Sequence, residues 1–171
     1  MFVNEAVAGL EAAFERIAQT RMAGLPLNNP ALRVQGVGFR PQEEGRLTGV
    51  LITPWAINLV MLAATPSREL YLAADCRRDW DFPSGCYEFM GGEEPECGAY
   101  QFCSLFSPAF DFGDQDSAVA TADEIMRGLF AEAPADPGPQ REAARMAGHS
   151  VMEIPTTRRG FLKGVLGSRR A

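Results

Sequence analysis

The chain has 171 residues, 46% hydrophobic and 22% charged, with a net charge of −6. That length supports one domain with a substantial core, and the composition excludes a disordered, fibrous or disulfide-built chain. No uncharged apolar run approaches the roughly 18 residues of a membrane span, and the opening Met-Phe-Val-Asn-Glu-Ala has neither the basic nor the apolar region of a secretory signal, so a cytoplasmic protein with no stable membrane insertion is expected.

Val3, Val7, Leu10, Phe14 and Ile17 recur at alternating steps of four and three, which predicts one amphipathic helix. Asn4 is positioned to cap it, and Gly24 followed by Pro26 to end it. Gly24 to Pro30, with two prolines and an Asn pair, is a loop. Leu32, Val34, Val37 and Phe39 predict a strand, Pro41 to Arg46 a turn, and Leu47 to Thr53 a returning strand, together an antiparallel hairpin. Thr53-Pro54-Trp55 interrupts the ladder because proline removes a donor. Ile57 to Ala64 then reads as a central strand carrying one polar residue, Asn58, which must be hydrogen-bonded if buried. The pattern weakens from Thr65 to Phe82, with a short strand at Leu70 to Ala73. Cys86 to Met90 extends after the turn at Pro83-Ser84-Gly85. The acidic segment Gly91 to Gly98 is a turn, and Ala99 to Phe106 pairs back. Ser107 to Asp116 is a loop containing Phe110 and Phe112. Ala118, Ala122, Ile125, Met126 and Leu129 define a second helix behind Asp114 and Asp116.

The fold class expected is therefore α+β: an antiparallel sheet of about five strands flanked by an N-terminal helix and a C-terminal helix, with a flexible C-terminal tail. Residues 1–131 make the domain. Residues 132–155, rich in Pro and Ala with few large apolar groups, are expected to be a flexible linker, and 156–171 a basic tail.

Charge is divided between body and tail. Residues 158–171 hold five cations (Arg158, Arg159, Lys163, Arg169, Arg170) and no acid, so the remaining eleven cations face all 22 acids. An acidic body argues against nucleic-acid binding, which needs a positive face. The contrast allows the tail to dock on its own body. Thr157-Arg158-Arg159-Gly160-Phe161-Leu162-Lys163 matches the twin-arginine export motif S/T-R-R-x-F-L-K, and Lys163 is the chain's one lysine. Export signals open a precursor and precede an apolar stretch and a cleavage site, and here Gly164 to Ala171 alone follow. A solvated basic tail and a docking element that copies an export signal are both open readings.

The cysteines (Cys76, Cys86, Cys97, Cys103) form no Cys-x-x-Cys pair, so zinc-ribbon, rubredoxin and thioredoxin-like chemistry fail on spacing; buried or half-buried thiols are expected. The one histidine, His149, lies in the presumed linker, leaving no His-based triad or multi-His metal site and no base beside Cys103-Ser104. Neither an enzyme nor a metal site is expected. Trp55, Phe106, Pro108, Phe110 and Phe112 lie near turns, where a peptide-binding role competes with burial in the core.

Several segments carry a resemblance. They are Gly24-Leu-Pro-Leu-Asn-Asn-Pro-Ala-Leu32, Val37-Gly-Phe-Arg40, Gly49-Val-Leu-Ile-Thr-Pro-Trp55, Asn58-Leu-Val-Met-Leu62, Phe82-Pro-Ser-Gly85 with Tyr87-Glu-Phe89, Cys103-Ser-Leu-Phe-Ser-Pro108, and Arg158-Arg-Gly-Phe-Leu-Lys-Gly164. In number and order they resemble the HybE-type (HupJ-type) family of [NiFe]-hydrogenase assembly chaperones. The resemblance implies a cytosolic, non-enzymatic factor with no cofactor of its own. Its partner would be a hydrogenase subunit precursor, the small subunit with a twin-arginine signal, held until its metal centres are in place. Trp55, Asn58, Cys103, Phe106, Pro108 and Phe110 are then the candidate partner-binding residues, with Arg158, Arg159, Phe161, Leu162 and Lys163 as the tail motif. The competing reading is a non-enzymatic scaffold or structural subunit of another complex, whose basic tail is a partner contact.

Overall fold

A computed structural model of the chain describes residues 2–132. In chain order the elements are α1 (Phe2–Gln19), β1 (Gln35–Pro41), β2 (Arg46–Ile52), β3 (Ile57–Ala63), β4 (Arg77–Phe82), β5 (Gly85–Glu94), β6 (Gly98–Phe106) and α2 (Gln115–Phe130). The strands form one antiparallel sheet in the order β1-β2-β3-β6-β5-β4. The expected α+β architecture with a helix at each end is present. The described residues hold six strands rather than about five.

The two helices pack on opposite faces. Ala6, Leu10, Ala13, Phe14 and Ile17 of α1 meet Leu47, Leu51, Val60, Leu62 and Tyr100. Ala118, Ala122, Ile125, Met126 and Leu129 of α2 meet Val50, Ile52, Leu59, Met61, Phe89 and Cys103. Alternation along a strand sends neighbouring side chains to opposite faces, so β2 and β3, covered on both, read as near-continuous apolar runs. α2 begins at Asp114, whose Oδ1 accepts from the Ser117 amide at 2.7 Å. That bond to the backbone draws the Asp114 carboxyl below its ordinary pKa. α1 spans Phe2–Gln19, so Asn4 lies inside the helix and does not cap it, and the helix ends before Gly24 rather than at it.

Two stretches depart from expectation. Leu70 to Ala73 is not a strand; Leu70 is buried from an irregular connection, and the strand is β4 instead. The Gly91 to Gly98 turn is shorter than expected, because β5 runs through Glu94 and pairs with β6 as far as Gly98. Glycine is required there by close approach: a Cβ on Gly91 would lie 2.0 Å from the Leu72 carbonyl oxygen, and one on Gly92 2.4 Å from the Tyr100 ring.

Arg16 ties α1 to the β5–β6 turn. Its Nε donates to Glu96 Oε1 at 2.6 Å and its Nη2 to Glu94 Oε2 at 2.7 Å, while Arg21 also donates to Glu94. The bond from Arg16 draws the Glu96 carboxyl from 4.5 down to about 2. For Glu94, burial pushes the pKa upward but Arg21 and Arg16 outweigh it, and the net shift is downward. A carboxylate with a depressed folded pKa contributes stability that is present above its unfolded pKa and lost as pH falls through the folded one. The advantage of wild type over Arg16→Ala is therefore expected to hold above about pH 5 and to vanish toward pH 2, the Glu96 window. Melting temperatures of both proteins across that range check it. A constant gap would contradict the assignment.

Candidate partner-binding surface

Three connections meet at one end of the sheet, because β1 and β3 begin there and β2 and β6 end there, with Gln35 opposite Ile52, Ile52 opposite Ile57 and Ile57 opposite Phe106. They run from Gly24 to Val34, from Thr53 to Ala56 and from Ser107 to Asp114. Asn29, 7% exposed, joins all three. Its amide donates to the Pro54 carbonyl at 2.7 Å. Its Nδ2 donates to the carbonyls of Ala109 (3.0 Å) and Phe112 (2.8 Å), and its Oδ1 accepts from the Ala31 amide at 3.0 Å. Gln115 adds a second clamp: its Oε1 accepts from the Arg33 amide and its Nε2 donates to Gln35 Oε1 at 2.8 Å. Thr53, wholly buried, closes the β2–β3 connection by donating to the Ala56 carbonyl and accepting from its amide.

On this braced frame stand exposed apolar side chains. Phe110 is 54% exposed, Leu27 48% and Leu25 41%. Pro26 and Pro108 are exposed beside them, the Ser107–Pro108 peptide being cis. Asp111, Asp114 and Asp116 are exposed along the same segment. Large apolar groups held outward on an ordered scaffold, with acids beside them, suit a partner segment that is both apolar and cationic.

The residues singled out from sequence divide by burial. Pro108 and Phe110 lie on this surface. Trp55 is half-buried and stacks on Phe14 of α1, centroids 6.3 Å apart and planes 18° apart. Phe106 is half-buried and meets Phe112 edge-on at 5.0 Å, and Phe112 belongs to the core. Asn58 sits inside β3 on the α1 face, 8% exposed. Cys103, 1% exposed, lies under α2, out of reach of a partner unless the sheet opens. Arg158, Arg159, Phe161, Leu162 and Lys163 lie outside the described residues, as do the linker and His149. Sequence reading passed over Asn29, Gln115, Leu25 and Leu27. The signal for Asn29 was present in Asn28-Asn29-Pro30: an Asn before Pro is held extended and its side chain is free to bond across loops.

All four cysteines are thiols outside any disulfide. Cys97 and Cys103 are buried as expected, but Cys76 and Cys86 are exposed, because the β4–β5 half of the sheet lacks a helix on the α1 side. Burial pushes the Cys97 thiol up to about 11, so it stays protonated near neutral pH. Among the described residues no group of three or more His, Cys, Asp or Glu could hold a metal ion, and no helix is long and apolar enough to cross a membrane.

Comparison with known proteins places this architecture. The family model described as "[NiFe]-hydrogenase assembly, chaperone, HybE" matches residues 5–164. The chain belongs to the HybE family. The Protein HoxT of Cupriavidus necator is 42% identical over 175 residues, covering 92% of this chain and 88% of the relative. The hydrogenase expression/formation protein HupJ of Bradyrhizobium diazoefficiens is 37% identical, covering 94% and 89%. The solution structure of HybE from Escherichia coli matches with a TM-score of 0.56 at 26% identity, covering 79% of this chain and 85% of that one. The resemblance read from the sequence thus holds, and the chain is a member of a hydrogenase assembly chaperone family, of which the HupJ relative is named for hydrogenase expression and formation.

Proposed function

We propose that this chain is a non-enzymatic cytoplasmic chaperone that holds the precursor of a [NiFe]-hydrogenase small subunit, bearing a twin-arginine signal, until assembly is complete. The observation that carries the reading is the exposed Leu25, Leu27 and Phe110 on connections braced by Asn29, with acids beside them. A twin-arginine signal presents a basic pair followed by an apolar stretch, the two properties this surface complements. On the same reading the Thr157–Lys163 motif is a docking element that shares the client's chemistry. The second reading, a scaffold subunit with a basic contact tail, is favoured by that tail alone.

Capture of the unprocessed small subunit from hydrogenase-expressing cells tests the proposal. Leu27→Ser with Phe110→Ser should weaken binding of the precursor at least tenfold while leaving the melting temperature within about 2 °C, since exposed side chains contribute little to folding. Equal binding by wild type and variant would move the client off this surface. Recovery of an unrelated complex in place of the precursor would favour the scaffold.

A further inference from the structure

The two edges of the sheet are treated differently. The edge formed by β1 is guarded: a bulge interrupts its register between Val37 and Arg40, Gly38 sits at φ +67°, Pro41 ends the strand, and the Gly36 amide is occupied by Glu11 Oε1 of α1 at 2.7 Å. Such features block strand addition. The edge formed by β4 has none of them. Its register with β5 is unbroken from Arg77 opposite Met90 to Phe82 opposite Gly85, it contains no proline, and among the described residues nothing pairs with its outer side.

The face beside that edge is acidic. Trp80 and Phe82 point toward α2, so Arg77, Asp79 and Asp81 point to the other side, where α1 does not reach. Asp79 stands directly opposite Glu88, a like-charge pair that costs stability unless a cation lies nearby. Arg77 approaches Glu88 at 3.9 Å, and no ion pair is formed by Asp79 or Asp81 among the described residues. The Cys86 thiol beside them is held above its ordinary pKa by burial and then by Asp81 and Asp79.

The described chain ends next to this edge. Phe130 of α2 meets Phe82 edge-on at 5.8 Å, and the Ser84 amide donates to the Leu129 carbonyl at 3.3 Å, so the end of α2 lies beside the β4–β5 turn. The sequence that continues from there carries the five cations of residues 158–171, with no acid among them. Residues 133–156 can extend about 3.3–3.6 Å each, well beyond the roughly 20 Å that a six-residue strand spans.

We infer that the segment Thr157–Lys163 docks as a seventh strand along the outer edge of β4. Strand alternation puts Arg159, Phe161 and Lys163 on one side, where the two cations meet Asp79, Asp81 and Glu88, and Arg158 and Leu162 on the other, beside Trp80 and Phe82. Docking satisfies the open backbone edge and neutralises the like-charge pair together. The inference rests on the reading of Thr157–Lys163 as a docking element.

Hydrogen–deuterium exchange of the full-length chain, without client and at two protein concentrations, tests it. Arg159→Glu with Lys163→Glu should speed exchange of both 77–82 and 157–163 by tenfold or more, and Asp79→Lys with Asp81→Lys in that background should restore protection. Exchange of 77–82 that is unchanged by the tail substitutions would overturn the inference. So would protection that rises with protein concentration, which would give the edge to a second copy. Because no client is present, this outcome is separate from precursor capture at the loop end, and either can fail while the other stands.

Discussion

Replacing Phe89 with alanine is expected to lower the unfolding free energy by about 3–5 kcal/mol. The ring is wholly buried on β5 and stacks on Phe82 at 6.2 Å within the cluster under α2. Truncation removes its transfer free energy and leaves a cavity between sheet and helix that cannot collapse, because Phe82 is already held between Tyr87 and Phe130. Against a typical domain stability of about 5–15 kcal/mol, a loss of this size removes from about a fifth of the stability to all of it. Urea denaturation checks it: the midpoint should fall steeply with the slope unchanged. A shift below about 1 kcal/mol would mean that this half of the sheet is looser than described.

Asn29→Ala is expected to cost about 2–4 kcal/mol, each lost hydrogen bond contributing roughly 1 kcal/mol and the stranded acceptors more. The substitution leaves the carbonyls of Ala109 and Phe112 without their donor and frees the Ser107–Asp114 connection from the Gly24–Val34 one, while the backbone bond from the residue 29 amide to Pro54 remains. Its neighbour is the control. Asn28 donates once, to the Met22 carbonyl at 2.6 Å, and its Oδ1 has no protein partner, so Asn28→Ala should cost about 1 kcal/mol or less. The same pair separates stability from binding. At a temperature where both variants remain folded, Asn29→Ala should still bind the precursor several-fold more weakly, because Leu25, Leu27 and Phe110 are no longer held in one arrangement.

Helices and central strands were readable because their burial is written in the pattern: β2 and β3 are nearly continuous apolar runs, broken inside by Thr48 and Asn58, and α2 repeats at helical spacing. β4 escaped because an uncovered edge strand has no reason to be apolar; Arg77-Arg78-Asp79-Trp80-Asp81-Phe82 buries parts of two side chains. The end of β5 escaped for the opposite reason. Gly91, Gly92, Glu93 and Glu94 carry turn-like composition, yet Leu72 and Tyr100 occupy the space their side chains would need. In the candidate surface the aromatics near turns were visible, but burial separated Phe112 and Cys103 from Phe110 and Pro108, and sequence proximity to a turn cannot make that division. Asn29 acts across 80 residues of sequence, through contacts no local pattern encodes.

The order of the strands sets a problem for the chain as it leaves the ribosome. α1 and the β1–β2–β3 meander emerge first and can cover one face at once. The outer edge of β3 must wait for β6, which follows β4 and β5, and the opposite face waits longer still, for α2. During that interval Val50, Ile52, Ile57, Leu59 and Met61 have nothing to pack against. A nascent or truncated chain that stops before α2 would carry a bare apolar sheet and be prone to aggregation. A member of a chaperone family thus passes through its own synthesis in need of shelter.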